Sequence, residues 1–316
     1  MDWRDEIERR VRGEHLRDAP LAARTAVRVG GPADLLVRPA DPDALAALLR
    51  AVKELGVPLH VLGGGANTLV ADAGFRGCVL RLPTELGGES ADGERLVLPA
   101  GAPTTRLWTR AHQAGLAGME FIAGIPGTLG GCTAMNAGTK LGEMKDVVER
   151  VELATADGAG FVGAAALAFR YRHARLPAGA VVTRVAFRLR RADAAGLAES
   201  ERLMREDQEK RRRTQPYDRP TFGSTFTNPP GDVAGRLIEA AGLKGHRIGN
   251  AVWSPVHANF VSNLGGATAA DVLGLMRLAR ETVKARFGID LETEVRLVGA
   301  FRPGETEGLG PHVVEG

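Results

Sequence analysis

The sequence predicts a globular protein in which α-helices and β-strands are mixed, organised in two or three domains. Its 316 residues are enough for more than one hydrophobic core. Hydrophobic residues make up 44% of the chain and charged residues 25%, which is typical of folded proteins and excludes the disordered and fibrous classes. Apolar residues recur at helical spacing in some segments and at every second position in others, which predicts both kinds of element.

The first 60 residues contain the clearest local signals. Residues 1–20 are predicted to be a short charged helix and a lead-in. Asp41, which precedes a proline, is a helix N-cap signal, and Gly56 is a helix C-terminal signal. Together they delimit a helix between strands at 35–37 and 57–62. This β-α-β unit places the end of its second strand where ligands commonly bind.

The rest of the chain continues the mixture of elements. Further strands are predicted at 75–82, 95–99, 147–155, 181–189, around 257–262 and at 291–298, and helices at 103–114, 197–213, 233–241 and 268–287. The helix at 197–213 is polar nearly all round and is interpreted as a solvated connector to a C-terminal domain. Thr268 and Asp271 form a capping-box pattern. Residues 302–316 are predicted to be a frayed tail.

Charge and cysteine content exclude several functions. The net charge is +3, and no long Lys/Arg block is interleaved with aromatics, so we expect no nucleic-acid partner, whereas a small anionic substrate is compatible. Cys78 and Cys132 form neither a disulfide framework nor a zinc-site pattern, which fits the reducing cytoplasm. The charged N-terminus and the lack of an 18-residue apolar run predict a soluble intracellular protein without a membrane span.

Glycine is the outlier of the composition, with 41 residues, or roughly twice the average share of about 7%. Gly63, Gly64 and Gly65, the first glycine cluster, follow an apolar run and suggest a cradle for a diphosphate, because glycine lets backbone N–H groups approach an anion closely. Thr68 stands where a dinucleotide fingerprint needs its third glycine, and no Walker A lysine follows. A flexible tight turn is the alternative interpretation.

A second glycine cluster, Gly124, Gly127, Gly130 and Gly131, is interrupted by Pro126 and accompanied by Thr128 and Asn136. Such a loop can present several backbone amides and short polar groups to one elongated ligand. Two separate clusters of this kind predict a cofactor held between them.

These motifs together resemble the UDP-N-acetylenolpyruvoylglucosamine reductase (MurB) family of flavoenzymes. The matching blocks cover about 270 residues in the family's order. They are 28–34, 62–70, 120–138, 171–172, 215–229, 235–249, 257–260 and 291–299. The short spacing between Tyr171 and the strand at 181 resembles the shorter of the family's two subtypes.

The resemblance implies an α+β fold with a two-lobed FAD-binding domain of the p-cresol methylhydroxylase type and a C-terminal α+β substrate domain. The lobes would be residues 1–82 and 83–195, and the substrate-binding domain 196–301, followed by the tail. The family reduces UDP-N-acetylglucosamine enolpyruvate to UDP-N-acetylmuramate with FAD and NADPH in peptidoglycan precursor synthesis. We expect a cytoplasmic monomer.

The resemblance also implies which residues bind FAD. They are Arg28, Gly63, Gly64, Gly65, Ala66, Asn67, Thr68, Gly124, Ile125, Pro126, Gly127, Thr128, Gly130, Gly131, Asn136 and Gly138. The family commonly has serine at the position of Ala66 and leucine at that of Thr68, so we expect the cradle to rely more on backbone amides here.

Three catalytic positions match the family's motifs. Arg172, after Tyr171, corresponds to the arginine that binds the substrate carboxylate, Ser224 to the serine that donates a proton to the α-carbon, and Glu294 to the glutamate that completes the site. Tyr171, Arg211 and Asn228 match substrate-contacting positions. Each of the three catalytic positions has a structural alternative: Arg172 as a solvated charge, Ser224 as a turn residue and Glu294 as an exposed strand residue.

Two other functions are compatible with parts of this pattern. Another flavin oxidoreductase of the same binding fold would not need the C-terminal serine and glutamate motifs, and neither glycine cluster contains the histidine through which many such enzymes attach FAD. A non-catalytic nucleotide-sugar binder would not need Arg172, Ser224 and Glu294. His257 is interpreted as a structural histidine, Trp108 and Phe260 as packing residues, and Trp253 and Pro255 as atypical of the family.

Overall fold

The computed structural model describes residues 2–309 and the backbone of residues 313 and 314. The chain divides into two compact units, each assembled from three separate segments. The first unit comprises Met1–Leu16, Leu36–Gly64 and Val79–Arg211, and the second comprises Arg17–Leu35, Gly65–Cys78 and Arg212–Gly316. The division of the chain into lobes at 1–82, 83–195 and 196–301 stays a prediction.

Helices and strands are mixed throughout, so the predicted α+β class is confirmed. The helices are α1 (Trp3–Arg10), α2 (Pro42–Leu55), α3 (Thr104–Gln113), α4 (Leu129–Ala134), α5 (Ala194–Thr214), α6 (Ala234–Ala240) and α7 (Ala269–Phe287). The strands are β1 (Gly13–Pro20), β2 (Pro32–Pro39), β3 (Leu59–Val61), β4 (Thr68–Val70), β5 (Phe75–Leu80), β6 (Ser90–Asp92), β7 (Arg95–Pro99), β8 (Leu116–Ala117), β9 (Gly138–Thr139), β10 (Gly142–Glu143), β11 (Val148–Thr155), β12 (Gly158–Gly163), β13 (Val181–Arg188), β14 (Arg190–Arg191), β15 (Arg247–Ile248), β16 (Ala251–Trp253), β17 (Val261–Asn263), β18 (Arg296–Val298) and β19 (Val313–Val314). One sheet has the strand order β1-β2-β5-β3.

The predicted ends of α2 are confirmed. The Asp41 carboxylate accepts a hydrogen bond from the Ala44 amide, and Gly56 adopts the left-handed conformation with φ +64°. The following strand is shorter than the predicted 57–62 because the Val57 amide donates back to the Val52 carbonyl at 3.0 Å, and proline 58 has no N–H. Regular pairing therefore begins only at β3.

A five-stranded antiparallel sheet in the order β12-β11-β13-β7-β6 forms the core of the first unit. Val151 and Val185 pair across its centre and are fully buried with Leu107 of α3 and Leu129 of α4. The chain leaves β7 and supports the second glycine cluster, since the Gly130 amide donates to the Ala100 carbonyl at 2.8 Å. The hydrophobic core thereby fixes the position of a predicted binding loop.

The second unit is built around α7, which packs on the antiparallel sheet β15-β16-β17. The capping box between Thr268 and Asp271 is present, as predicted. The predicted strand at 291–298 is regular only in β18, which pairs in parallel with β4. The burial in this segment still alternates as in a strand, with Leu291, Val295 and Leu297 fully buried.

Four sequence interpretations need correction. The predicted lead-in within residues 1–20 contains the strand β1. The strand predicted around 257–262 is confined to β17, because residues 254–260 form a turn in which the Phe260 amide donates to the His257 carbonyl. Helix α5 is not solvated all round, since Ser200, Met204 and Asp207 are buried. The described part of the tail predicted at 302–316 is not frayed, since Leu309 is buried and β19 pairs in parallel with β18. The other residues after 309 lie outside the described residues.

Within residues 2–309, none of the helices combines the length and the apolar composition that crossing a bilayer would require.

Candidate functional site

The two glycine clusters meet in the first unit. A Cβ added to Gly64 would lie 2.6 Å from the Gly127 Cα atom, and one added to Gly63 would lie 2.7 Å from the Thr128 Oγ1 atom. Both distances are too short for real Cβ contacts, so only glycine allows this approach. Two loops that are more than 60 residues apart in the sequence thus form one backbone-lined surface.

This surface has unused hydrogen-bond donors. Among the described residues, the backbone N–H groups of Gly63, Gly64 and Gly127 donate to no protein acceptor. The amides of Leu129 and Gly130, in contrast, donate to carbonyls that follow β7, and the Gly131 amide donates to Thr128 Oγ1. Free amides at closely approaching glycines are the groups that bind phosphate oxygens, so the first unit fits the diphosphate of a nucleotide cofactor.

A cavity of about 740 Å³ borders the second cluster. Gly124, Ile125, Pro126 and Gly127 form one wall, Trp108 of α3 another, and α5 contributes Met204 and Gln208. This size and mixed lining are typical of small-molecule sites. Trp108, interpreted from the sequence as a packing residue, therefore lines the cavity as well as packing on the core.

Helix α5 is anchored beside this cavity by a buried carboxylate. Glu120 accepts a hydrogen bond from the Ser200 hydroxyl at 2.7 Å and another from the Gly118 amide at 2.9 Å. If Gly124 carried a Cβ atom, that atom would lie 3.4 Å from the Nε atom of Arg211, which is near the end of the helix. The structure therefore places a predicted substrate-binding residue next to the second glycine cluster, within the same unit.

Gly65 and the residues after it belong to the second unit, where they form a tight loop. Gly65 has φ +63°, and its carbonyl accepts from the Ala26 amide at 3.0 Å. Asn67 donates through Nδ2 to the Glu294 carbonyl at 3.0 Å, and its own carbonyl accepts from the Arg296 amide. This part of the predicted FAD loop is therefore joined to the segment of a predicted catalytic residue. Ala66, next in the loop, has an amide without a protein acceptor among the described residues.

The four remaining predicted cofactor residues differ in exposure and packing. Arg28 is exposed with φ +57°, and Thr68 is buried in β4. A Cβ at Gly138 would lie 2.4 Å from the Glu143 Cβ atom, so close packing requires this glycine. Asn136 is fully buried with φ +45°. Whether they contact a cofactor stays a prediction.

Asn136 supports a neighbouring turn. Its Nδ2 atom donates to Glu143 Oε2 at 2.8 Å and to the Arg170 carbonyl at 2.9 Å, and its Oδ1 atom accepts from the Lys145 amide. Both amide hydrogens are therefore used inside the protein. The side chain holds the start of the turn that carries Tyr171 and Arg172.

That turn is a two-residue hairpin. Arg170 and His173 exchange both backbone hydrogen bonds, at 2.8 and 3.1 Å. Arg172 has φ +56°, and its guanidinium lies 5.0 Å from the centroid of the exposed Tyr171 ring. A non-glycine residue in this conformation costs about 1–3 kcal/mol, and such strain clusters at functional sites. The turn therefore holds the Arg172 guanidinium at the cost of a strained backbone conformation.

Replacing Arg172 tests that cost. We expect Arg172→Gly to be more stable than Arg172→Ala by about 0.5–1 kcal/mol. Glycine adopts positive φ without the strain that alanine has there, and this gain exceeds the additional backbone entropy that glycine loses on folding. Both variants should lose the carboxylate-binding function proposed below. Chemical denaturation of the two variants measures the difference. Equal stabilities would contradict the strain.

Ser224 and Glu294 lie on neighbouring segments of the second unit. The Thr225 amide donates to the Asn259 carbonyl, and the Thr225 carbonyl accepts from the Glu294 amide, both at 2.8 Å. Isolated bridges also join Ser224 to Phe260, on the side of Asn259, and residue 226 to residue 293 on the other side. Ser224 and Glu294 are both half-buried. The structure thus joins the backbone segments that carry two predicted catalytic residues, which are 70 positions apart in the sequence.

Asn228, a predicted substrate contact, also caps a helix. Its Oδ1 atom accepts from the Ala234 amide at 3.1 Å, at the first turn of α6. Trp253 is fully buried and stacks on the Phe226 ring at 6.0 Å. The family-atypical tryptophan is therefore a core residue behind the serine segment.

Neither cysteine presents a thiolate at neutral pH. Cys78 and Cys132 are free and buried. Burial raises the pKa of each thiol to about 12, so both remain protonated.

His257 has the structural role predicted for it. Its Nδ1 atom accepts from the Asn259 amide at 3.3 Å, which requires the neutral ring. Burial lowers the pKa of His257, and repulsion by Lys244 lowers it further. The unfolded histidine has a pKa of about 6.5, so between the folded pKa and about 6.5 the unfolded chain binds the extra proton.

The free energy of unfolding should therefore fall as the pH drops below about 6.5, through the window down to the folded pKa. We expect His257→Gln to show a shallower fall between about pH 7 and pH 5, in urea denaturation at each pH. His246→Gln, which changes an exposed histidine of the same unit, is the control for the substitution itself. A His257→Gln curve parallel to wild type would disprove the assignment.

Comparison with known proteins identifies two domains in the chain. Residues 33–161 match the family described as FAD binding domain, and residues 215–298 match UDP-N-acetylenolpyruvoylglucosamine reductase, C-terminal domain. The fold predicted from the resemblance, an FAD-binding domain followed by a reductase C-terminal domain, is thus confirmed. The first match contains both glycine clusters, and the second contains Ser224 and Glu294.

Individual relatives match over nearly their whole length. UDP-N-acetylenolpyruvoylglucosamine reductase of Anaeromyxobacter sp. (strain Fw109-5) is 77% identical over 98% of this chain and 96% of the relative. The protein of the same name from Myxococcus xanthus is 54% identical over 89% and 91%. The crystal structure of UDP-N-acetylenolpyruvylglucosamine reductase (MurB) from Thermus caldophilus superimposes with a TM-score of 0.76 and 38% identity, covering 90% of this chain and 98% of that one.

Several residues around the site were not found from the sequence. Glu120 and Ser200 are ordinary polar residues in local terms, and only the fold shows that they pair. In the sequence, Asn259 stands out only as a member of the matching block 257–260, although its side chain contacts the serine segment directly. The sequence signal for a buried side of α5 was Met204, an apolar residue in a mostly polar helix.

Proposed function

Because the chain belongs to the UDP-N-acetylenolpyruvoylglucosamine reductase family, we propose that it reduces UDP-N-acetylglucosamine enolpyruvate to UDP-N-acetylmuramate for peptidoglycan synthesis, with FAD as cofactor and NADPH as hydride donor. The observation that best supports this is the contact between the two glycine clusters, whose free amides suit the FAD diphosphate. The amides of Gly63, Gly64 and Gly127 would hold FAD, whose chemistry would be hydride transfer from NADPH to the β-carbon of the enolpyruvyl group.

Arg172 binds the carboxylate of the enolpyruvyl group in this proposal. Hydride addition at the β-carbon leaves negative charge at the α-carbon, conjugated with that carboxylate. A guanidinium held in place before the reaction stabilises this charge as it develops. The support is the Tyr171–Arg172 turn, which fixes the backbone of Arg172 in a strained conformation.

Ser224 donates a proton to the α-carbon and completes the reduction. A lone hydroxyl is a poor acid, so the serine must be positioned and coupled to a proton source. Glu294 is proposed to complete this part of the site, because its backbone is hydrogen-bonded to the residue next to Ser224. Tyr171, Arg211 and Asn228 are proposed substrate contacts, of which Arg211 lies beside the cavity-lining Gly124.

We propose that the protein acts as a monomer. Its two free cysteines are compatible with the reducing cytoplasm, where we place the reaction.

The reaction can be tested in two steps. The purified protein should be yellow with flavin absorbance, and NADPH should bleach it under anaerobic conditions. Adding UDP-N-acetylglucosamine enolpyruvate to the photoreduced protein should restore the absorbance at a rate that rises with substrate concentration. A reduced flavin that the substrate does not reoxidise would instead indicate another flavoprotein or a non-catalytic binder, and would overturn the proposal.

A further inference from the structure

A buried amide lies behind the segment that carries Ser224. Asn259 is 3% exposed, and its side chain makes both hydrogen bonds that the Phe226 backbone offers. Its Oδ1 atom accepts from the Phe226 amide at 3.0 Å, and its Nδ2 atom donates to the Phe226 carbonyl at 2.8 Å. Its backbone carbonyl accepts from the Thr225 amide at 2.8 Å. One residue therefore makes three hydrogen bonds to the two residues that follow the serine.

The chemistry of these bonds selects asparagine. A side chain must supply one donor and one acceptor at the spacing of a peptide group, which aspartate and leucine cannot do. Phe226 is buried, so its N–H and carbonyl would lie unpaired in the core without this partner, at about 1–3 kcal/mol each. The Asn259 side chain thus makes the hydrogen bonds to the Phe226 backbone that a neighbouring strand would otherwise make.

Asn259 is itself held in place. Its backbone N–H donates to His257 Nδ1 at 3.3 Å, and the following residue, Phe260, forms the isolated β-bridge with Ser224. On the opposite side, the Thr225 carbonyl accepts from the Glu294 amide. The short serine segment thus lies between Asn259 and the Glu294 segment, and a shift at Asn259 would move the serine relative to the glutamate backbone.

We propose that Asn259 is a positioning residue that sets the location of the Ser224 hydroxyl for protonation of the α-carbon. This inference rests on the proposed function. Displacing a reacting group by about 1 Å can slow a reaction by about 100-fold, so a residue without contact to the substrate can have a large effect.

The test separates the two half-reactions in stopped-flow experiments on the FAD-bound protein. Asn259→Leu removes both side-chain bonds, and Asn259→Asp keeps the acceptor but not the donor. We expect flavin reduction by NADPH to stay within about twofold, and reoxidation by UDP-N-acetylglucosamine enolpyruvate to slow by about 10–100-fold. In deuterium oxide, the slowing of reoxidation should be larger for Asn259→Asp than for wild type, because proton transfer becomes more limiting.

A double-mutant cycle shows whether Asn259 acts through the serine. In a Ser224→Ala background, Asn259→Asp should cause no further slowing, because the group that it positions is already absent. Val272→Ala, a truncation in the fully buried part of α7, is the control for general destabilisation. It should lower the melting temperature and leave reoxidation unchanged.

The outcomes are distinct. Provided that the substrate reoxidises the wild-type flavin, three results would show that the positioning role is wrong. The Asn259 variants could be reoxidised at the wild-type rate, they could slow both half-reactions equally, or their effect could multiply that of Ser224→Ala. The role is also wrong if Val272→Ala slows reoxidation as much. If Asn259→Leu does not fold, Asn259→Asp decides the result alone, and if neither variant folds the role is purely structural and the proposal is overturned. Wild-type protein that the substrate does not reoxidise overturns the proposed function itself.

Discussion

Ser224→Ala is expected to leave flavin reduction by NADPH nearly unchanged and to slow reoxidation by the enolpyruvyl substrate by about 10²–10⁴-fold, the usual contribution of a positioned general acid. The two half-reactions share the flavin but only the second needs a proton at the α-carbon. Ser224 lies on a segment bonded to Asn259 on one side and to Glu294 on the other, so removing its oxygen should leave the backbone in place.

Stopped-flow absorbance at the flavin band measures both rates on the same preparation. Ser262→Ala is the matched control, since it removes a buried hydroxyl of the same unit that has no hydrogen-bond partner among the described residues. Its two rates should equal those of wild type. Equal slowing of both half-reactions by Ser224→Ala would count against its role as proton donor.

Gly64→Ala is expected to abolish most flavin binding. The new Cβ would lie 2.6 Å from the Gly127 Cα atom, and backbone cannot yield as a flexible side chain can. The two loops must separate, which moves the free amides of Gly63 and Gly127 and costs about 1–3 kcal/mol as overpacking. The purified variant should be nearly colourless and should need much higher FAD concentrations to restore activity.

Gly160→Ala is the control for a glycine without such a neighbour. Gly160 lies in β12, and an added Cβ there would meet no atom within 4 Å. This variant should bind FAD like wild type, as measured by flavin absorbance per protein and by FAD titration of the stripped protein. A yellow Gly64→Ala protein with normal affinity would show that the contact between the clusters does not hold the cofactor.

Much of the local structure could be predicted from the sequence. The limits of α2 follow from Asp41 and Gly56, and the start of α7 follows from Thr268 and Asp271, because capping bonds involve residues three or four apart. The concentration of glycine also identified both candidate binding loops. Glycines that a fold requires for close approach stand out in composition even when their partner is unknown.

Tertiary contacts decided the rest. Sequence patterns do not show that Gly64 would meet Gly127, that Glu120 anchors α5, or that Asn259 pairs with the serine segment. Nor do they show that the proposed carboxylate-binding Arg172 has φ +56°.

By itself, the sequence determined the α+β class, the limits of α2, the start of α7 and the two glycine loops, and it predicted the catalytic residues through the family's motifs, since these depend on neighbouring residues or on residue identity. The tertiary structure alone decided which distant segments pair and which polar groups are buried with partners. The reason is that hydrogen bonds between remote segments leave no periodic trace in either segment, and they form only when the core brings the backbones together.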